Sequence, residues 1–111
     1  LQTMLTKFKL EVKSAESAEE ALRLLETFHP QLILTDMWMP GMNGAEFAAA
    51  LRSRPEFAAV PILAVTADTE TEGNFPMDHF DGILLKPLSH DKLNRMFRAI
   101  AENKLNRHFI L

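Results

Sequence analysis

Leu32-Ile33-Leu34-Thr35-Asp36-Met37-Trp38-Met39-Pro40-Gly41-Met42-Asn43-Gly44 is an apolar run that stops at a single acid and breaks into a Pro/Gly-rich turn. Strands buried on both faces of a parallel sheet read as such continuous Val/Ile/Leu runs, and ligands of open α/β sheets sit outside the carboxyl ends of the strands. Asp36 therefore stands where such folds do their chemistry. A carboxylate in that place can act as a nucleophile, a metal ligand or both, because the sheet fixes its backbone while its oxygens face the crevice. Taken alone, a turn-capping aspartate is the better reading.

Outward from this stretch, strand-like and helix-like segments alternate. Glu11-Val12-Lys13-Ser14-Ala15 is short and extended in character, and Ser17-Ala18-Glu19-Glu20 has the Ser-x-x-Glu pattern of a capping box. Ala18, Ala21, Leu22, Leu25 and Phe28 share one helical face, and His29-Pro30 is expected to end that helix, since the residue before proline avoids the α region. After Gly44, the positions Phe47, Ala48 and Leu51 make another helical face that stops before Pro55. Pro61-Ile62-Leu63-Ala64-Val65-Thr66 and Gly82-Ile83-Leu84-Leu85-Lys86-Pro87 are two further strands. Ser89 then caps a helix carrying Leu93, Met96, Phe97 and Ile100 on its inner face. Between the last two strands, Thr69 to Phe80 holds Gly73 and Pro76 where a helix needs good formers, so a short or irregular helix is expected. Strands alternating with helices indicate βαβ units, a parallel sheet and right-handed crossovers.

Composition fits a single soluble domain. The 111 residues are 47% hydrophobic, enough for a real core. A net charge of −3 with no basic run leaves no footprint for nucleic acid. No segment reaches the ~20 apolar residues of a membrane span, and no signal-peptide pattern opens the chain. The absence of cysteine excludes disulfides and suits a reducing, cytoplasmic location.

Three strand ends thus deliver Asp36, Thr66 and Lys86 to one edge of the sheet. Singly they read as a turn aspartate, a strand-end threonine and a snorkelling surface lysine. Together they suit a phosphoryl group: a carboxylate attacks phosphorus, a hydroxyl donates to one phosphoryl oxygen and an ammonium neutralises another. Phosphoryl transfer needs mainly positioning and charge neutralisation, so a small set nearly suffices. The four histidines, His29, His79, His90 and His108, lack ligand spacing, so no zinc site is assigned.

These residues resemble the response-regulator receiver domain. Asp36 with Met39-Pro40-Gly41-Met42-Asn43-Gly44 looks like that family's phosphoacceptor and following turn, Val65-Thr66-Ala67 like its hydroxyl segment, and Lys86-Pro87 like its lysine-proline pair. Ile62 to Thr66 and Leu85 to Leu88 look more like receivers attached to hybrid histidine kinases. The resemblance implies a doubly wound, flavodoxin-like α/β fold whose five-stranded parallel sheet has the order 2-1-3-4-5. It also implies a cis Lys86-Pro87 bond, and Mg²⁺ held by Asp36, the backbone carbonyl of Trp38 and an acid pair at the end of the first strand. That strand and its acid pair are not found: Leu1-Gln2-Thr3-Met4-Leu5 resembles the helix that follows them. Residues upstream of Leu1 are expected to supply both; a degenerate receiver and a substitute strand are the alternatives. The receiver is placed at residues 1–103, and 104–111 is read as a tail or linker. Asn106 to Leu111 is the one spare segment that could instead form a strand.

The function implied is a two-component receiver that takes a phosphoryl group on Asp36 from a histidine kinase or histidine phosphotransfer domain and switches a partner-binding face. Its chemistry is at most its own phosphorylation and dephosphorylation, and its partner on the other side is an output domain or protein. A dimer formed on phosphorylation is a further partner that the resemblance allows. A receiver-like interaction module that never takes phosphate is the alternative. A phosphohydrolase is disfavoured because Trp38 stands where a second acid is wanted. Trp38 stands two residues after the acceptor, where the resemblance places a side chain at the rim of the site, either restricting the attacking water or facing a partner. Asp68 either adds charge near that water or caps a helix. Ile83 stands where many receivers carry an aromatic switch residue, which makes rotamer switching doubtful here.

Overall fold

Side chains alternate sides along a strand, so an apolar run must find a core on each face of its sheet. The computed structural model, which describes residues 13–37, 41–67, 78–105 and 111, shows this directly. In chain order its elements are α1 (Ala18–Leu24), β1 (Ile33–Asp36), α2 (Gly44–Arg52), a single 3₁₀ turn (Pro55–Phe57), β2 (Ile62–Thr66), β3 (Gly82–Leu85) and α3 (His90–Ala101). The three strands form one parallel sheet in the order β1-β2-β3. Ile33 is opposite Ile62 and Asp36 opposite Val65, while Leu63 is opposite Gly82 and Thr66 opposite Leu85. This matches the last three neighbours of the expected strand order. The remaining strands are not seen among the described residues: residues 13–15 are irregular, and the earlier ones lie outside them.

One face of the sheet, with Ile33, Ile62, Ala64 and Ile83, packs against Ala18, Phe47, Ala48, Leu51 and Phe57. The other face, with Leu63, Val65 and Leu84, packs against Leu93 and Met96 of α3, flanked by Leu34, Phe97, Ile100 and Leu111. Every residue of β2 is buried, as its unbroken apolar run requires. Burying each Leu or Ile of this strand contributes about 1.5–3 kcal/mol. Among the described residues no helix is long and apolar enough to cross a membrane.

The helix ends follow local chemistry. Ser17 accepts a hydrogen bond from the Glu20 amide at 3.1 Å, but the Glu20 carboxylate accepts from the amide of Glu16, not Ser17, so the expected box is half formed. Helix α1 stops at Leu24, short of His29-Pro30. The bonds from Glu26 to Arg23 and from Thr27 to Leu24 tighten the chain into turns before proline can act. Ser89 caps α3 as expected, through the Lys92 amide at 3.1 Å. The irregular helix expected over Thr69 to Phe80 falls mostly outside the described residues; Phe80 itself is buried.

Below the sheet, Arg52 at the end of α2 ties three segments together. Its Nη1 donates to the carbonyls of Phe57, Ala58 and Val60, its Nε to that of His79, and its Nη2 to Asp81 Oδ2 at 2.6 Å. The same Asp81 oxygen accepts from the Ile62 amide at 2.9 Å, so one ion pair pins the starts of both β2 and β3.

Candidate functional site

Asp36 ends β1 with its side chain exposed, directly after the buried Thr35, whose hydroxyl donates to the Asp36 carbonyl at 3.0 Å. Met37 is 1% exposed and turns the chain back under the strand end. The turn closes where the Gly44 amide donates to the Met37 carbonyl at 3.1 Å. A Cβ on Gly44 would lie 2.5 Å from the Asp36 carbonyl oxygen, so only glycine lets α2 begin this close to the acid. Gly41 has φ +74°, and a Cβ there would meet the Glu19 carboxylate at 3.2 Å. Asn43 and Glu46 form a complete capping box, with bonds of 2.9 and 3.0 Å, which fixes the first turn of α2 beneath Asp36. The sequence reading missed this box, although Asn-x-x-Glu carried the same signal as Ser17-x-x-Glu20.

Thr66 closes β2, is 4% exposed, and accepts through its carbonyl from the Lys86 amide at 2.8 Å. That bond sets Lys86 at the same edge of the sheet as Asp36 but one strand further on, so its side chain reaches Asp36 across the end of β2. The Lys86-Pro87 bond is cis, as the resemblance implied. Lys86 Nζ lies 3.1 Å from Asp36 Oδ1, with the two side chains 48% and 55% exposed. Solvent screens a pair this open, and it contributes about 0.2–1 kcal/mol at most. Asp36 and Lys86 are thus in direct contact, and Thr66 is joined to Lys86 through the backbone. Lys92, in the first turn of α3, donates from Nζ to the Leu85 carbonyl at 2.7 Å and holds the strand end that precedes Lys86.

An open carboxylate against a half-exposed ammonium at the carboxyl end of a sheet can take up an electrophile and hand the ammonium to the oxygens that arrive with it. A divalent cation needs more. Among the described residues no group of three or more His, Cys, Asp or Glu side chains converges on a point. Trp38, expected to lend its carbonyl, lies outside the described residues, as does Asp68. The described residues alone therefore do not make a Mg²⁺ site.

Comparison with known proteins bears on this arrangement. Residues 1–98 match the family model of the response regulator receiver domain. The chain is 33% identical over 99 residues, 87% of its length, to the autoinducer 2 sensor kinase/phosphatase LuxQ of Vibrio parahaemolyticus, of which it spans 11%. It is 30% identical over 94 residues to the nitrate/nitrite response regulator NarL of Escherichia coli, covering 85% of this chain and 44% of NarL. The chain thus spans less than half the length of either relative. Among solved structures, the chemotaxis response regulator CheY4 of Vibrio cholerae superposes with a TM-score of 0.80 at 27% identity, over 89% of this chain and 84% of that one. The receiver domain of the sensor histidine kinase PA1611 of Pseudomonas aeruginosa, with magnesium in its active-site cleft, shares the fold at a TM-score of 0.79 and 23% identity, over 87% and 81%. The sheet, the strand-end residues and the family match over residues 1–98 make this chain a member of the response regulator receiver domain family.

Proposed function

We propose that this domain receives a phosphoryl group on Asp36 and relays its arrival to a partner through Lys86 and α3. Aspartate phosphorylation and partner switching are general properties of receiver domains, which typically bind Mg²⁺. The observation that carries the reading for this chain is the 3.1 Å contact between Lys86 Nζ and Asp36 Oδ1, half open to solvent at the sheet edge. In the reaction, an Asp36 carboxylate oxygen forms a bond to phosphorus as the P–N bond of a phosphohistidine donor breaks and imidazole departs with the electron pair. The acyl phosphate carries more negative charge than the carboxylate, so the Lys86 ammonium moves from the carboxylate to a phosphoryl oxygen. The Thr66 hydroxyl, at the end of the neighbouring strand, serves another. The donor is a histidine kinase or phosphotransfer domain in the cytoplasm, and the receiver of the reaction's signal is an output domain. The similarity to LuxQ supports a place within a larger kinase chain, and that to NarL a place beside an output domain.

The test is phosphoryl uptake from a small phosphodonor in the presence of Mg²⁺, by the domain with its flanking native sequence and read by intact mass. One phosphoryl group on the wild type and none on Asp36→Asn is the expected result. A label that survives in Asp36→Asn overturns the assignment. No uptake by the wild type, with partner binding intact, leaves the interaction-module reading in its place.

A further inference from the structure

In a parallel ladder the backbone groups of alternate residues point to opposite sides, so an edge strand offers every second N–H and C=O to whatever lies beyond it. Lys86 donates inward to Thr66, which turns Ile83 and Leu85 outward. Leu111 takes two of their groups, the Ile83 carbonyl and the Leu85 amide, and the Lys92 ammonium takes the Leu85 carbonyl. The Leu111 amide donates to the Ile83 carbonyl at 2.9 Å, and the Leu85 amide donates to the Leu111 carbonyl at 2.8 Å. This pair of bonds is the repeat of a parallel ladder with Leu111 opposite Leu84. Directly opposed residues direct their side chains to the same face. Leu111 does pack with Leu84 against the α3 side of the sheet, an independent mark of the same register.

We propose that the outer edge of β3 is a strand-docking edge, occupied from within the same chain by the backbone at Leu111. Such occupancy shields the edge from addition of a foreign strand, and it does so one residue from Lys86. Any partner that binds by strand addition on this side must first displace Leu111. The edge is then a guarded interface for an extended, parallel segment with an apolar residue at the Leu111 position. The inference does not depend on phosphorylation of Asp36.

Amide hydrogen exchange of the full chain, resolved by residue in NMR spectra, tests it. Leu85 and Lys86 are adjacent amides facing opposite sides, so their comparison separates edge pairing from general stability. In the wild type and in Leu111→Ala, which keeps both backbone groups, Leu85 is expected to be protected at a level independent of protein concentration. Leu111→Pro removes the donor to Ile83 and is expected to speed Leu85 exchange about fivefold, the size of one net hydrogen bond, with Lys86 unchanged. Wild-type Leu85 exchanging like an open edge amide overturns the proposal, and this arm stands even where the proline variant fails to fold. Protection of Leu85 that fades on dilution overturns it too, because a second copy is then the occupant.

Discussion

Arg52 and Asp81 stand 29 positions apart in the chain and meet at 2.6 Å beneath the sheet, with the arginine side chain 17% exposed. The guanidinium also serves four backbone carbonyls, of which those of Phe57 and Val60 are part-buried. Arg52→Ala is expected to lower the unfolding free energy by about 2–3 kcal/mol in urea denaturation, since it strands a half-buried carboxylate and several carbonyls. Arg52→Lys should recover less than half of that loss, because a point-like ammonium cannot satisfy a fork of acceptors. Equal stability of all three proteins would show that the clamp is ornamental.

Two glycines of the turn after Asp36 should respond differently to alanine. At Gly44 the added methyl would sit 2.5 Å from the Asp36 carbonyl and 3.0 Å from Met37 Cα, both backbone atoms that cannot step aside singly. Gly44→Ala is expected to cost about 3 kcal/mol and to disturb Asp36 itself. Gly41→Ala meets only a movable carboxylate and pays chiefly for its φ of +74°, about 1 kcal/mol. Thermal melts of the two variants check the order.

Lys86→Ala separates charge reading from phosphoryl uptake. The ion pair it removes is half exposed, so stability should change by less than about 1 kcal/mol. Uptake of a phosphoryl group should persist in part, while the spectral shifts that beryllofluoride produces around α3 in the wild type should largely vanish. Full shifts in Lys86→Ala would move the signalling role elsewhere.

Binding of Mg²⁺ by the 111-residue chain is expected to be weak. Asp36 and a single carbonyl supply too few oxygens for a firmly held ion, and among the described residues no group of three or more His, Cys, Asp or Glu side chains could hold one. Calorimetric titration should show no saturable heat, whereas a chain that carries an acid pair next to Asp36 should saturate. Tight binding by the 111-residue chain would reveal ligands among residues outside those described.

The strands were legible because Ile62–Thr66 and Gly82–Leu85 are apolar runs with a polar stop, and burial on both faces leaves few other readings. Ser17 and Ser89 announced their helices by type and position. The contact of Asp36 with Lys86 followed from two strand ends meeting at one edge. What escaped was set by distance or by register. No local pattern pairs Arg52 with Asp81, and the turn that ends α1 at Leu24 leaves the apolar spacing through Phe28 intact. The tail Asn106 to Leu111 read as a linker before it read as a strand, since pairing register depends on the partner edge, which periodicity alone does not reveal.

The bond from Lys92 to the Leu85 carbonyl makes α3 a lever. The helix is hooked at its third residue to the strand end that bears Lys86, and it extends about 14 Å from there to Ala101. Leu93 and Met96 rest on the sheet as a fulcrum, both fully buried. Ala99, Ile100 and Leu105 continue the same contact to the far end of the helix, so under the proposed function a shift of the hook is expected to be felt around Ala101 to Leu105, far from the acid itself.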